Sequence, residues 1–283
     1  MKYSVFTAST PEWTPAEAAT TLAAQGWDGI EWRVTDQAAA TPPGFWAGNL
    51  ATWTLEGLEE SIPQIAEITA SAGLEFSGIG GYAQASDRVN SERMLAATAA
   101  LGARRVRIAM PRVDGRNYPE LFARTRGDLE WVAEAARRHG VMALVELHHE
   151  TITPSASAAR RLVEGLDPAH IGVIHDVGNL VIEGFENHRA GLELLGEYLA
   201  HVHIKNARWV PGEARADGSI PWTHGWATLR AGQADIAAYV ADLVAHGYDG
   251  WITLEDFSTE LPLARRTADN LAYIRELVDR ARR

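Results

Sequence analysis

The chain has 283 residues, 46% hydrophobic and 22% charged, which is the composition of a globular protein with material for a large core. A formal net charge of -11 argues against nucleic acid as a partner, because phosphate recruits basic surface. Cysteine is absent, which excludes disulfides, thiolate metal ligands and a cysteine nucleophile.

The first residues, Met1-Lys2-Tyr3-Ser4-Val5-Phe6, lack the basic and long apolar parts of a signal peptide. No apolar run approaches the roughly 20 residues that span a bilayer, so the expectation is a cytoplasmic protein with no membrane partner. Strand and helix patterns then alternate along the chain. Lys2–Thr7 reads as a strand and Ala16–Gln25 as a helix. Gly29–Val34 is followed by Glu56–Ala72, Leu74–Ile79 by Glu92–Leu101, and Arg104–Met110 by Glu120–His139. Val141–His148 precedes the helix Ala156–Glu164, Ile171–Val177 precedes Ala190–Leu199, and Leu199–Lys205 precedes Asp235–His246. Gly250–Phe257 and the helix Leu261–Arg282 close the series. Gly26, Gly73, Gly102, Gly140, Gly165 and Gly247 each stand between a helix and the next strand, where a left-handed residue ends a helix. Gly26-Trp27-Asp28-Gly29-Ile30 and Gly247-Tyr248-Asp249-Gly250-Trp251 echo each other. They read as structural turns, with the aromatic under the strands and the Asp making a local bond.

About eight strand–helix units allow an open doubly wound sheet or a closed barrel. No glycine-rich phosphate loop follows the first, second or third strand, so the expectation is a single (β/α)8 TIM-barrel domain over residues 1–283. Active sites of such barrels lie at the C-terminal strand ends. Those ends carry Glu31 and Arg33, Arg107, Glu146 with His148, Asp176, His203 with Lys205, and Glu255. Glu146, Asp176, His203 and Glu255 fall on consecutive strands. Three carboxylates and an imidazole without sulfur suit a hard or borderline divalent ion, Mn²⁺ first, with Mg²⁺, Co²⁺ or Zn²⁺ as alternatives. Carboxylates gathered in one barrel mouth would repel each other without a cation.

The segments Val145-Glu146-Leu147-His148, His175-Asp176-Val177-Gly178-Asn179, His201-Val202-His203-Ile204-Lys205-Asn206 and Ile252-Thr253-Leu254-Glu255 resemble the xylose isomerase-like TIM barrel superfamily, in its sugar phosphate isomerase/epimerase branch. Asp28-Gly29-Ile30-Glu31 fits its second-strand pattern, so the resemblance covers nearly the whole chain. It implies that Glu146, Asp176, His203 and Glu255 ligate the ion and that Glu146 and Glu255 also carry protons. Glu31, Arg33, Arg107, His148, Asn179 and Lys205 are then candidates for substrate contact. His201 shares the parity of His203 but lies deeper, as a packed or supporting residue.

The implied chemistry is removal of a proton beside a carbonyl, giving epimerisation or isomerisation of a sugar or polyol, or dehydration if a hydroxyl leaves. The family's ketose 3-epimerases carry His three residues past the ligand Asp, where this chain has Asn179, and their Arg beyond the ligand His has no counterpart in register, Arg208 being nearby. An inosose dehydratase-like or keto-glycoside-cleaving lyase is the second reading. A DNA-repair endonuclease, which would need more His at strand ends and a basic face, is a distant third, and a non-catalytic binding module a fourth.

Two long loops, Thr35–Thr54 and Ala207–Gly232, carry Trp46, Trp53, Trp209, Trp222 and Trp226, and the second also carries His224. These rings suit a sugar-covering lid or a homo-oligomer contact equally. The arginines of the last helix read as a solvated face.

Overall fold

The computed structural model describes residues 1–115 and 117–283. Eight parallel strands form the barrel: Lys2–Phe6, Gly29–Val34, Glu75–Gly81, Arg105–Arg107, Met142–Glu146, Ile171–Asp176, Leu199–Ile204 and Trp251–Leu254. Each pairs with the next, and the first pairs with both the second and the eighth, which closes the ring. Nine α-helices lie outside it among the described residues.

Strand alternation sorts the side chains. In the second strand Ile30, Trp32 and Val34 join the apolar layer between barrel and helices, while Glu31 and Arg33 turn inward; all are buried. In the seventh, Val202 and Ile204 face the helices and His201 and His203 the lumen. Burying a side chain such as Ile30 or Trp32 contributes about 1.5–3 kcal/mol, so the apolar layer fixes this parity. The lumen is unusually polar. Ser4 and Thr253 share a 2.7 Å hydrogen bond, and His201 Nε2 lies 2.9 Å from Thr253 Oγ1.

The helix Pro15–Gln25 shows how local sequence sets the ends. Thr14 and Glu17 form a reciprocal capping box, Pro15 opens the first turn, and Gly26 closes it at φ 89°.

Three features differ from the sequence reading. The fourth strand is short, and beyond it Ala109 makes an isolated bridge to Gln84. A helix, Val177–Ile182, starts directly after Asp176, where the strand was expected to include Val177. The loop Ala207–Gly232 is mostly an antiparallel hairpin of Asn206–Pro211 and Trp222–Ala227. The echoed aspartates also bond across the barrel floor and not locally: Asp28 Oδ2 accepts from Tyr3 N at 2.8 Å, and Asp249 meets the terminal amino group. No described helix is long and apolar enough to cross a membrane.

Candidate metal centre

Glu146 and Asp176 end the fifth and sixth strands, His203 lies one residue before the end of the seventh, and Glu255 directly follows the eighth. All four are buried, and one ligand atom from each lies within 4.8 Å of the others. His203 Nδ1 is 3.6 Å from both Glu146 Oε1 and Glu255 Oε1 and has no hydrogen-bond partner. Its Nε2 lies 3.1 Å from Glu31 Oε2. A carboxylate only accepts, so Nε2 carries a hydrogen. Burial acts to lower the ring's pKa, but Glu31 and then Glu255 hold it well above its ordinary value. A cation that displaced the second proton would meet the Nδ1 lone pair among the other carboxylates.

That unpartnered nitrogen among three buried carboxylates fits a divalent cation. The charges agree. Glu31, Glu146, Asp176 and Glu255 are buried against Arg107 and Lys205, a surplus of negative charge that a divalent ion, or protons on His203 and Asp176, would offset. Burial pushes the Asp176 carboxyl up to about 7, with Glu255 and Glu146 adding to the rise and Lys205 opposing it. Burial also acts to raise Glu146, but Arg107, helped by His203, His148 and Lys205, holds it well below the usual carboxylate range.

Each ligand is braced. Asp176 caps the helix Val177–Ile182, Oδ1 accepting from Gly178 N and Asn179 N at 3.0 Å each. Its Oδ2 contacts Lys205 Nζ, which also contacts Glu255 Oε2. Gly178 makes room for that lysine, since a Cβ there would stand 2.3 Å from Lys205 Cγ. Arg107 donates to Glu146 Oε2 at 2.6 Å and to Gly81 O at 2.9 Å, and lies 4.1 Å from the Tyr82 ring centre. Asn179 Nδ2 donates to Asp176 Oδ2 and Leu147 O, both at 3.0 Å.

Above the cluster opens a cavity of about 360 Å³. Trp46, Phe257 and Trp226 form an aromatic wall, with ring centroids 4.7 and 5.3 Å from Phe257. His148, His149, His224 and Arg107 line it elsewhere, and Asn179 and Lys205 reach it from below. Glu31 and Arg33, expected at substrate, lie behind these walls. Glu31 accepts from His201 at 3.0 Å as well as from His203, and Arg33 donates to Gln37 and Thr52 at 3.0 Å each. Their inward parity was readable, but their depth was not. His149, the residue after His148, also lines the cavity and donates to Asn179 Oδ1 at 3.0 Å. Tyr82 and Phe257 were missed; Phe257 shares the inward parity of Glu255, a usable signal.

Among relatives, an inosose dehydratase of Bacillus licheniformis is 29% identical over 132 residues, which are 45% of this chain and 44% of that protein. An inosose dehydratase of Lactiplantibacillus plantarum is 26% identical over the same length. These matches span less than half of the relatives. Among solved structures, a 3-keto-D-glucoside 4-epimerase from E. coli superposes with a TM-score of 0.71 at 19% identity, covering 98% of this chain and 99% of that one. The probable 3-DHS dehydratase of Bacillus anthracis gives 0.72 at 16% identity, covering 97% and 99%. At that identity the superpositions establish the shared barrel. The model of the xylose isomerase-like TIM barrel family matches residues 20–277, and the chain belongs to that family.

Proposed function

We propose that this protein is a divalent-metal-dependent isomerase or epimerase of a keto-sugar or related polyol, cytoplasmic and using Mn²⁺ first among the ions that suit its donors. The observation that carries this is His203, fixed by Glu31 so that an unpartnered Nδ1 faces Glu146, Asp176 and Glu255. Those four residues would hold the ion. When bound, it supplies Lewis acidity toward a carbonyl and its neighbouring hydroxyl.

The chain's own groups do the rest. Glu146 and Glu255 take and return the proton beside the carbonyl, a contribution of about 10²–10⁴ in rate. The C–H electrons pass into an enediolate, and return of the proton to the other face inverts the carbon. Return to the adjacent carbon interconverts ketose and aldose. His148 Nδ1 donates to His149 O at 2.8 Å, leaving Nε2 to accept from a sugar hydroxyl. The aromatic wall excludes water and packs on the apolar face of the ring.

Loss of water from an inosose is the second reading, favoured by the partial match to inosose dehydratases. Product analysis separates the two. The test is a panel of keto-sugars and inososes in deuterated water with Mn²⁺. Expected is deuterium incorporation that chelation stops and that Glu146→Gln and Glu255→Gln each abolish. Exchange retained in both variants overturns the two-carboxylate mechanism.

A further inference from the structure

The cavity above the carboxylates does not end at its own walls. A second cavity of about 130 Å³ adjoins it and shares Tyr82, Arg107, Arg112, Glu146 and His148. Its remaining lining is Ile108, Ala109 and Met110, the chain that leaves the fourth strand, with Gln84 and Thr151. A third cavity of about 320 Å³ continues past Gln84 and Arg112. Small-ligand sites commonly measure about 300–1,000 Å³. The first cavity alone stands near the bottom of that range at 360 Å³, and the continuations extend the site away from the metal centre in one direction. Glu146 stands at the junction.

The chemistry of the second cavity selects its occupant. Arg107 is committed to Glu146 and Gly81 O, and Arg112 to Glu150. Among the described residues, then, each cation on this wall already faces a carboxylate, buried for Arg107 and solvent-exposed for Arg112, and a phosphate would share its cation with that carboxylate. Ala109 and the Tyr82 ring, backed by the buried Ile108 and Met110, instead present apolar surface, and Gln84 and Thr151 add uncharged polar groups that suit hydroxyls. That combination suits a neutral ring. Resting on the function proposed above, we infer that the substrate is a neutral two-unit glycoside. One unit is the keto-sugar over the carboxylates. The other is a second ring, sugar or aromatic, that passes Glu146 and sits on Ile108–Met110.

Calorimetric titration of the Mn²⁺-loaded protein with methyl β-glucoside, phenyl β-glucoside and fructose 6-phosphate tests this. Phenyl β-glucoside is expected to bind at least tenfold more tightly than the methyl compound and more tightly than the phosphate. Ala109→Phe fills the second cavity and should shrink the gap to within twofold. Gln84→Trp closes it from an exposed rim position, so the test survives if the first variant fails to fold. Equal binding of the two glucosides, or tighter binding of the phosphate, overturns the second seat, as does a gap that both folded variants retain. Deuterium exchange from the 3-keto forms is measured alongside. Its absence, with the binding gap intact, overturns the proton-transfer chemistry and leaves the second seat standing.

Discussion

Replacing Glu31 with Gln tests whether the residue beneath His203 sets metal affinity. Glu31 Oε2 lies 3.0 Å from His201 Nε2 and 3.1 Å from His203 Nε2, sealed from solvent. Burial alone would raise its carboxyl, but His203 and then His201 outweigh this and hold it far below the ordinary range, so it is an anion in place. The anion fixes which His203 nitrogen carries hydrogen and strengthens Nδ1 as a donor. Gln matches Glu in shape but carries no charge. Losing such a partner typically costs 10–100-fold in metal affinity, about 1.4–2.8 kcal/mol. Glu31→Ala should cost more, because His201 Nε2 keeps only Thr253 Oγ1 and the buried His203 Nε2–H is left without an acceptor, at about 1–3 kcal/mol. Calorimetric titration of Mn²⁺ into metal-stripped protein measures the affinity, with circular dichroism and Tm reporting the fold. An E31Q protein that folds normally and binds Mn²⁺ as tightly as wild type refutes the reasoning.

Arg107→Met should destabilise the protein by about 3–5 kcal/mol in urea unfolding, because it strands Glu146, whose side chain is 6% exposed, without its cation. A loss under 1 kcal/mol would show that another group replaces the arginine. Gly178→Ala should cost about 1–3 kcal/mol and lower exchange activity, since the new Cβ would lie 2.3 Å from Lys205 Cγ and 2.7 Å from Lys205 O. Wild-type stability and rate in that variant would mean the helix Val177–Ile182 shifts freely.

The four candidate ligands were legible because two regularities coincide: strands alternate, and barrel chemistry gathers at C-terminal ends. Asn179 shows where legibility stopped. Its position three past Asp176, beyond the expected strand end at Val177, was read as a substrate contact. In the structure a helix begins at Asp176, and helical rise returns the third residue over its own cap. The side chain thereby braces Asp176 Oδ2 and orients His149 as well as reaching the cavity. Glu31 failed differently. The second strand slips register against the third between Ile30 and Glu31, a bulge with no sequence signature. Glu31 also stands three residues short of the strand's end at Val34, a depth that alternation alone does not give. The second cavity depends on where the short fourth strand ends, and the unbroken apolar run through Met110 concealed that point.

In the proposed mechanism the carboxylates serve isomerisation, epimerisation and dehydration alike, so the fate of the intermediate rests on the walls. His148 Nδ1 must donate, because its partner is the carbonyl of His149. His149 Nδ1 must also donate, because Asn179 has spent its amide hydrogens on Asp176 and Leu147 and offers only Oδ1. Both rings therefore present a bare Nε2. Burial keeps them neutral, pushing His148 down to about 4 and His149 below its ordinary value. A neutral acceptor steadies a hydroxyl by taking its hydrogen bond; it has no proton to give a departing one. Proton delivery thus falls to Glu146 and Glu255, the groups already placed to return it to carbon. The two histidines then orient hydroxyls, and any loss of water would draw its proton from the same two carboxylates, which product analysis tests.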